Sequence, residues 1–447
     1  MRRTLMQELI RLRSENSKTF SMEGRKRQLE SHTGAVHYKE DYTSNAEGWK
    51  DIDLTWEGNR ITKAPYELTV DEQKATIKNK RTGEVSIIEL LDCKPAGLKM
   101  EIVPDNTRIS FRHTLPSDKI PFKARFKVGG KGLVTTRAFD DDGDLELETS
   151  LVDGILTEKL SKVIDKETKK ERPVKGKIKI DPIWQVGAST DDCYKRLDYG
   201  DANPLWRPTA NDVRVGCAGV PTVYTYGSGM RFTNITIPQG TTIDSAYLTL
   251  TASNPMSGAA VKARISADDT DDAATFSTVG DFDTRYAART TARVDWDNIA
   301  AWTNELEYDS PEIKTVIQEI VDRGGWTSGN DIAIFWEDFD ERTSVGLQSM
   351  RFAYAYDASA AKSPKLVIIY LPLTISGTAT KAGVGVENAK IYCINQSTDE
   401  VFTTLTDVNG DYSFDVFEIT LYHLAGTYES EGTKYNALSL WDVEGGE

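Results

Sequence analysis

The chain has 447 residues, 39% of them apolar and 28% charged, and a net charge of −15 at pH 7. That length suits two to four folded globular domains. The acidic balance argues against nucleic acid as a partner, and no run of 18 apolar residues is present to cross a membrane as a helix.

Residues 1–28 reverse the overall sign, with eight Lys/Arg against three acids, +5 on the segment and −20 on the remainder. Leu5, Leu9 and Leu12 fall at helical spacing, which predicts a short amphipathic helix over residues 3–13. The opening M-R-R-T-L-M-Q-E-L-I-R-L-R lacks the apolar core and small-residue cleavage site of a secretory signal. One apolar stripe buries little surface alone, so residues 1–30 are expected to be a basic arm ordered by a partner. Arg2, Arg3, Leu5, Leu9, Arg11, Leu12 and Arg13 are its candidate anchor residues.

Residues 31–182 read as a β-domain. Half-buried alternation marks Y-E-L-T-V (66–70), V-S-I-I-E-L-L (85–91), L-K-M-E-I-V (98–103) and R-I-S-F-R (108–112). Turn signals R-T-G-E, P-D-N and D-D-D-G-D separate such runs. The charged segment 157–181 predicts a long hairpin with a solvated tip near Lys166–Arg172, or an interdomain linker. Upstream, G-A-V-H-Y-K-E from Gly34 and G-W-K-D-I-D-L-T-W from Gly48 form a phrase, H-Y … W-K-D-I-D. It resembles the N-terminal module of large Gram-positive surface proteins.

Residues 183–371 form a second β-rich unit. M-R-F-T-N-I-T-I-P-Q-G-T-T-I-D-S-A-Y-L-T-L-T (230–251) places Ile243, Ala246, Leu248 and Leu250 towards a core and Thr249 and Thr251 outward. One principal helix is expected over 311–323. Ser310 is its candidate N-cap, Pro311 suits its first position and Gly324–Gly325 stop it. Ile313, Val316, Ile317, Ile320 and Val321 fall on one face of it. Apolar runs Ile332–Trp336 and Leu366–Tyr370 follow. This order resembles the DNRLRE-type β-sandwich module of bacterial surface proteins and phage particles, and it implies a jelly-roll sandwich in a structural or adhesive protein. Residues 372–447 carry I-S-G-T-A-T, V-E-N-A-K-I-Y-C-I and T-T-L-T-D-V-N-G-D-Y-S-F. They are similar to the small carboxypeptidase-regulatory-like, prealbumin-type Ig-like sandwich, with Asn409-Gly410 at a hairpin turn. The fold class expected for the whole chain is all-β, serial sandwiches with these short helices.

Chemistry-bearing patterns are sparse. No H-E-x-x-H, G-x-S-x-G, C-x-x-C or phosphate-loop spacing occurs. Glu337 and Asp338 are adjacent on a strand, so their side chains diverge and do not form a glycosidase pair. Cys93, Cys193, Cys217 and Cys393 read as buried thiols, with Cys193–Cys217 the one pairing to consider in an oxidising medium. Asp268, Asp269, Asp271 and Asp272 offer oxygens for a structural calcium ion, the only cofactor considered, against a plain solvated turn. Asp140, Asp141, Asp142 and Asp144 are a weaker copy of that cluster. Trp296 and Trp302 read as core. Trp206, in a Pro-flanked segment, with Tyr224 and Tyr226, is the candidate contact for a partner or glycan.

These readings lead to a non-enzymatic structural protein of a tailed-phage virion, a fibre, tail or head-appendage component. It is expected in many copies or as a homo-oligomer, with other virion proteins as partners and a host surface glycan as a candidate ligand. A glycan-binding bacterial surface adhesin is the alternative, and a polysaccharide-degrading enzyme lacks a catalytic signature.

Overall fold

Alternating segments become paired strands in the computed structural model, which describes residues 6–44, 48–116, 119–140, 143–166, 169–185, 191–198, 205–218, 223–254, 260–344, 349–396, 401–416, 421–430, 433–436 and 440–444. Strands account for 53% of the secondary structure assignment, and the two α-helices are short. The fold is therefore all-β.

In the first sandwich, a seven-stranded sheet runs from Glu148–Val152 through Ile155–Leu160, Phe122–Gly129, Val85–Lys94, Lys74–Asn79 and Tyr66–Asp71 to Arg60–Ile61. A five-stranded sheet runs through Met100–Pro104, Arg108–Leu115, Ile178–Gln185, Leu133–Asp140 and Gly143–Leu145. Alternate residues of both sheets meet in one core, including Tyr66, Ile77, Phe111, Phe122, Phe126 and Leu160. The expected hairpin over 157–181 forms only near its tip, where Ile164 pairs with Glu171 and the Arg172 N–H donates to the Val163 carbonyl at 3.1 Å. Ile155–Leu160 pairs with Phe122–Gly129 in one sheet, whereas Ile178–Gln185 pairs with Arg108–Leu115 in the other. Nor is the segment an interdomain linker, because both of its ends are strands of this one sandwich. Arg172 pins the crossover by a two-pronged bond to the buried Asp140 at 2.8 Å.

The central sandwich buries Ile243, Ala246, Leu248 and Leu250 against Met230, Phe232, Ile334, Trp336, Leu366 and Ile368. Thr249 and Thr251, expected outward, are 5% and 8% exposed. Their face of the strand is covered, and the Thr249 hydroxyl donates to Asp309 at 2.7 Å. The expected helix over 311–323 is shorter, Lys314–Val321, and its inward face is the one read from the sequence. Ser310 does not cap it. Its hydroxyl accepts from the Leu248 backbone N–H at 3.0 Å and donates to the Pro311 carbonyl at 2.8 Å, so it completes the neighbouring strand. A second helix, Val279–Ala287, lay outside the expectation. Thr278 caps it by accepting from the Asp281 N–H, and Phe282 is its buried side chain. With Gly280 near its start and only Val279, Phe282 and Tyr286 at helical spacing, V-G-D-F-D-T-R-Y-A gives a short and weak amphipathic signal.

The N-terminal expectation needs the largest correction. Arg2, Arg3 and Leu5 lie outside the described residues. From Gln7 the chain is not a helix over 3–13 but a two-residue strand, Gln7–Glu8, followed by one 3₁₀ turn at Ile10–Leu12. Strands Ser17–Ser21 and Arg27–His32 come next, and the second pairs in full register with Lys365–Tyr370 of the central sandwich. The central sheet thus runs Gln7–Glu8, Ser17–Ser21, Arg27–His32, Lys365–Tyr370, Ile243–Thr251, Glu307–Asp309. Leu29 is fully buried in the central core. The segment is ordered by its own chain because backbone pairing to an apolar edge strand supplies what the leucine stripe lacks.

The C-terminal module places Leu373–Thr378 against Asp411–Val416 in one sheet. Val401–Leu405, Lys390–Asn395, Leu421–Ser430 and Thr433–Asn436 follow one another in the other. The turn at Asn409-Gly410 is present, with Gly410 at φ +83°. Its flanking strands enter different sheets, so it is an arch between layers and not the expected hairpin.

Candidate functional site

The outer face of the central module's eight-stranded sheet carries the densest collection of charged and aromatic side chains that the sequence analysis singled out. Register sets a cross-strand row there, Trp206, Lys195, Gly227, Glu337, Arg264 and Asp295. The adjacent row holds Cys193, Gly229, Phe335 and Ser266. Both glycines have a packing reason. A Cβ on Gly229 would lie 2.5 Å from the Phe276 ring, and one on Gly227 would lie 2.5 Å from the Phe339 ring. The strand is bare so that these rings rest on its backbone. The Val279–Ala287 helix lies over the rings, with Phe282 5.2 Å from Phe335 and Tyr286 5.3 Å from Phe339, centre to centre.

Charges around this cluster are matched. Lys195 pairs with Asp283, Arg264 with Asp295 and Asp340, and Arg285 with Asp268. Glu337 is 1% exposed, and burial pushes its carboxyl pKa up. One of its oxygens accepts from the Phe339 N–H at 2.7 Å. Asp338, likewise raised by burial, accepts from the Arg342 and Thr343 backbone N–H groups at 2.8 and 3.2 Å. The two side chains leave the strand on opposite faces, as strand geometry requires, and both stabilise the loop that follows Ile332–Glu337.

The candidate contact residues separate in the same way. Trp206 is half-buried in the outer cluster, its ring 5.4 Å from Phe282. Tyr224 and Tyr226 point to the opposite face, and Tyr226 is 4% exposed. Arg196 lies 4.5 Å over the Tyr224 ring. The three therefore form no shared platform, because Trp206 and the tyrosines occupy alternate faces of one sheet.

The acidic run is engaged within the chain. Asp268 pairs with Arg285, Asp269 and Asp271 pair with Arg323, and Asp272 accepts from the Asp331 N–H at 2.9 Å. Among the described residues no group of three His, Cys, Asp or Glu is arranged to hold a metal ion. Asp141 and Asp142 lie outside the described residues, and Asp140 is held by Arg172. The four cysteines are free thiols, with Cys193 and Cys217 both buried.

The anchor residues are also engaged within the chain. Arg13 pairs with Glu8 at 2.6 Å and Asp51 at 2.8 Å, and Arg11 lies 5.3 Å over the Phe402 ring of the C-terminal module. Leu9 and Leu12 are half-buried. Arg25 reaches Ser413 and Asp415 at 2.8 and 2.7 Å. The phrase H-Y … W-K-D-I-D resolves into the same brace. His37 pairs with Asp51 and Tyr38 with Lys50, and the His37 ring is 2.6 Å from the Ser14 carbonyl. Because that partner is a carbonyl, His37 Nδ1 carries the proton and donates.

Burial also sets a pH response in the first sandwich. His113 is fully buried between Phe122 and Phe126, neither ring nitrogen has a hydrogen-bond partner, and its pKa is lowered to about 4. The folded state favours neutral His113, so its contribution is complete above the unfolded pKa of roughly 6.5 and is lost as pH falls towards 4. Urea titrations of the full chain should show a stability loss of about 2 kcal/mol between pH 7 and 4.5 from this group. His113→Leu should flatten that part of the pH profile. An identical profile in the variant would remove His113 as the cause.

No family model matches the chain. No curated protein matches it. Among solved structures, the chain is similar to the major pilin subunit of Bacillus cereus at 11% identity, covering 69% of this chain and 89% of that one, with a TM-score of 0.16. It is also similar to a biofilm-associated protein domain at 9% identity, covering 78% and 84%, with a TM-score of 0.16. A fragment of native alpha-2-macroglobulin from Escherichia coli gives 8% identity, 78% and 96% coverage and a TM-score of 0.12. Scores of this size reflect shared β content and carry no argument about this chain. Among the described residues, no helix is long and apolar enough to cross a membrane.

Proposed function

We propose that this chain is a non-enzymatic structural component of a tailed-phage virion, a tail, fibre or head-appendage protein that contributes to host-surface attachment. The observation that carries the reading is the way its polar chemistry is used. The N-terminal strands complete the central sheet, Arg25 ties them to Asp415, and the Thr107 and Tyr356 hydroxyls join the first and central sandwiches at 2.5 Å. Glu337 and Asp338, the acids nearest a catalytic pattern, both stabilise the loop that follows their strand. Such a chain is organised to hold a fixed arrangement of surfaces. The motifs resembling DNRLRE-type and carboxypeptidase-regulatory-like modules support the same reading.

Mass spectrometry of gradient-purified phage particles from the source strain tests it. The chain is expected in the particle fraction at a copy number fixed relative to the major structural proteins. Its absence from particles, with recovery from washed bacterial cell walls, would replace the virion reading by the bacterial adhesin.

A further inference from the structure

The C-terminal module carries a groove that no motif in the sequence marked. It is open and shallow, with a volume of about 510 Å³, and is bordered by Lys381, Val384, Glu387, Asn388, Tyr428 and Glu429. That volume falls in the range of small-ligand sites. The groove lies between the hairpin Thr380–Lys381/Val384–Gly385 and the strand Leu421–Ser430.

Its wall is fixed. Any side chain on Gly385 would strike the Asn409 carbonyl, and one on Gly410 would strike the Ala379 carbonyl. The two backbones therefore touch, and Ala379 links them, its N–H donating to the Gly410 carbonyl at 2.8 Å and its carbonyl accepting from the Val386 N–H at 2.9 Å. Asp407 holds the arch by accepting from the Asn409 and Asp411 N–H groups at 2.8 and 2.9 Å. A wall set in this way needs little ordering when a ligand arrives.

Tyr428 lines the groove. It pairs directly with Tyr435 across two strands, and the rings lie 6.3 Å apart at 29°, so Tyr435 stands beside the groove. Tyr435 is 39% exposed, and Lys381 Nζ rests 3.9 Å from its ring centre. Val384, 69% exposed, adds apolar surface at the rim. Beside the rings stand two carboxylates, Glu387 and Glu429, an amide, Asn388, and one ammonium, Lys381. The formal charge of this rim is −1.

We propose that this groove binds a hexose oligosaccharide that is neutral or bears amino groups. Sugar rings present C–H faces that stack on tyrosine and hydroxyls that bond to carboxylate and amide groups, and the two residue types stand side by side here. The negative rim disfavours a uronic-acid or sialic-acid chain. The groove gives the attachment reading a site, and it rests on that reading for its biological role. Particle mass spectrometry tests the role, whereas sugar titration tests the site, so the two fail separately.

The experiment is calorimetric titration of the full chain with tetramers of glucose, N-acetylglucosamine, glucosamine and galacturonate. At least one of the first three is expected to bind, and galacturonate is expected not to. Tyr435→Ala should weaken binding at least tenfold, Glu387→Gln should weaken it several-fold, and Tyr428→Phe should retain it. Tyr435 and Glu387 are exposed, so these variants keep the fold and decide the matter even where Tyr428→Ala unfolds the module. Binding of none of the neutral or amino tetramers, preferred binding of galacturonate, or affinities unchanged in both Tyr435→Ala and Glu387→Gln would overturn the assignment.

Discussion

Removing residues 1–32 is expected to unfold the central sandwich. The strand Arg27–His32 pairs residue for residue with Lys365–Tyr370, and Leu29 sits at 0% exposure in the central core. Leu29 alone accounts for roughly 1.5–3 kcal/mol of burial, and each ladder hydrogen bond adds about 0.5–1.5 kcal/mol. Together these reach the order of a whole domain's stability, about 5–15 kcal/mol. Deletion also uncovers K-L-V-I-I-Y as an apolar edge, which invites aggregation. Soluble yield, size-exclusion behaviour and urea unfolding of the truncated chain measure the effect. A soluble, monomeric product with an unchanged midpoint would show that the segment is dispensable to the fold. The milder variant Leu29→Ala should lower stability by about 2–5 kcal/mol, which separates core packing from loss of the whole edge.

The second large effect is expected at Trp336. Its ring is fully buried and stacks on Trp302, 5.9 Å away at 13°, with Trp296 on its flank at 6.1 Å. Tyr308 continues the stack on Trp302 at 4.8 Å and 7°. Trp336→Ala should cost about 3–5 kcal/mol, the range for a large aromatic truncated in a packed core. Trp336→Phe should cost far less than that. The indole N–H of Trp336 is buried without a hydrogen-bond partner, and phenylalanine removes that penalty while keeping most of the stacking area. Chemical denaturation of the two variants gives the comparison. Equal losses in both would show that retained ring burial and stacking do not rescue the core and that the full indole is required.

Both effects show where sequence reading succeeds and where it stops. The strands of the first sandwich and the inward set Ile243, Ala246, Leu248 and Leu250 are visible in a period of two, because one buried face selects apolar residues at every second position. The inward face of Lys314–Val321 is visible for the same reason at helical period. The Val279–Ala287 helix is short, and only Phe282 and Tyr286 pack it against the sheet while ion pairs hold the rest, which is too brief a pattern to read as a helix. The expected site residues fared according to how much their role depended on neighbours. The partners of Asp268, Asp269 and Asp271, Arg285 and Arg323, arrive from elsewhere in the chain and are not legible in the local run. Trp206, Tyr224 and Tyr226 look like a surface until strand pairing sends them to opposite faces of one sheet.

The sequence by itself determined the β class, the inward faces of its strands and the short helix before Gly324, because these follow from local alternation, turn residues and side-chain size. Only the tertiary structure decided which distant segments meet. A strand's hydrogen-bonding edge is the same whatever its side chains, so nothing in R-Q-L-E-S-H names Lys365–Tyr370 as its partner. Likewise nothing in T-D-V-N-G-D tells whether its flanking strands pair with each other or part into two sheets. The Tyr428–Tyr435 pair depends on the same information: two tyrosines seven residues apart become neighbours only when the register of their hairpin is set.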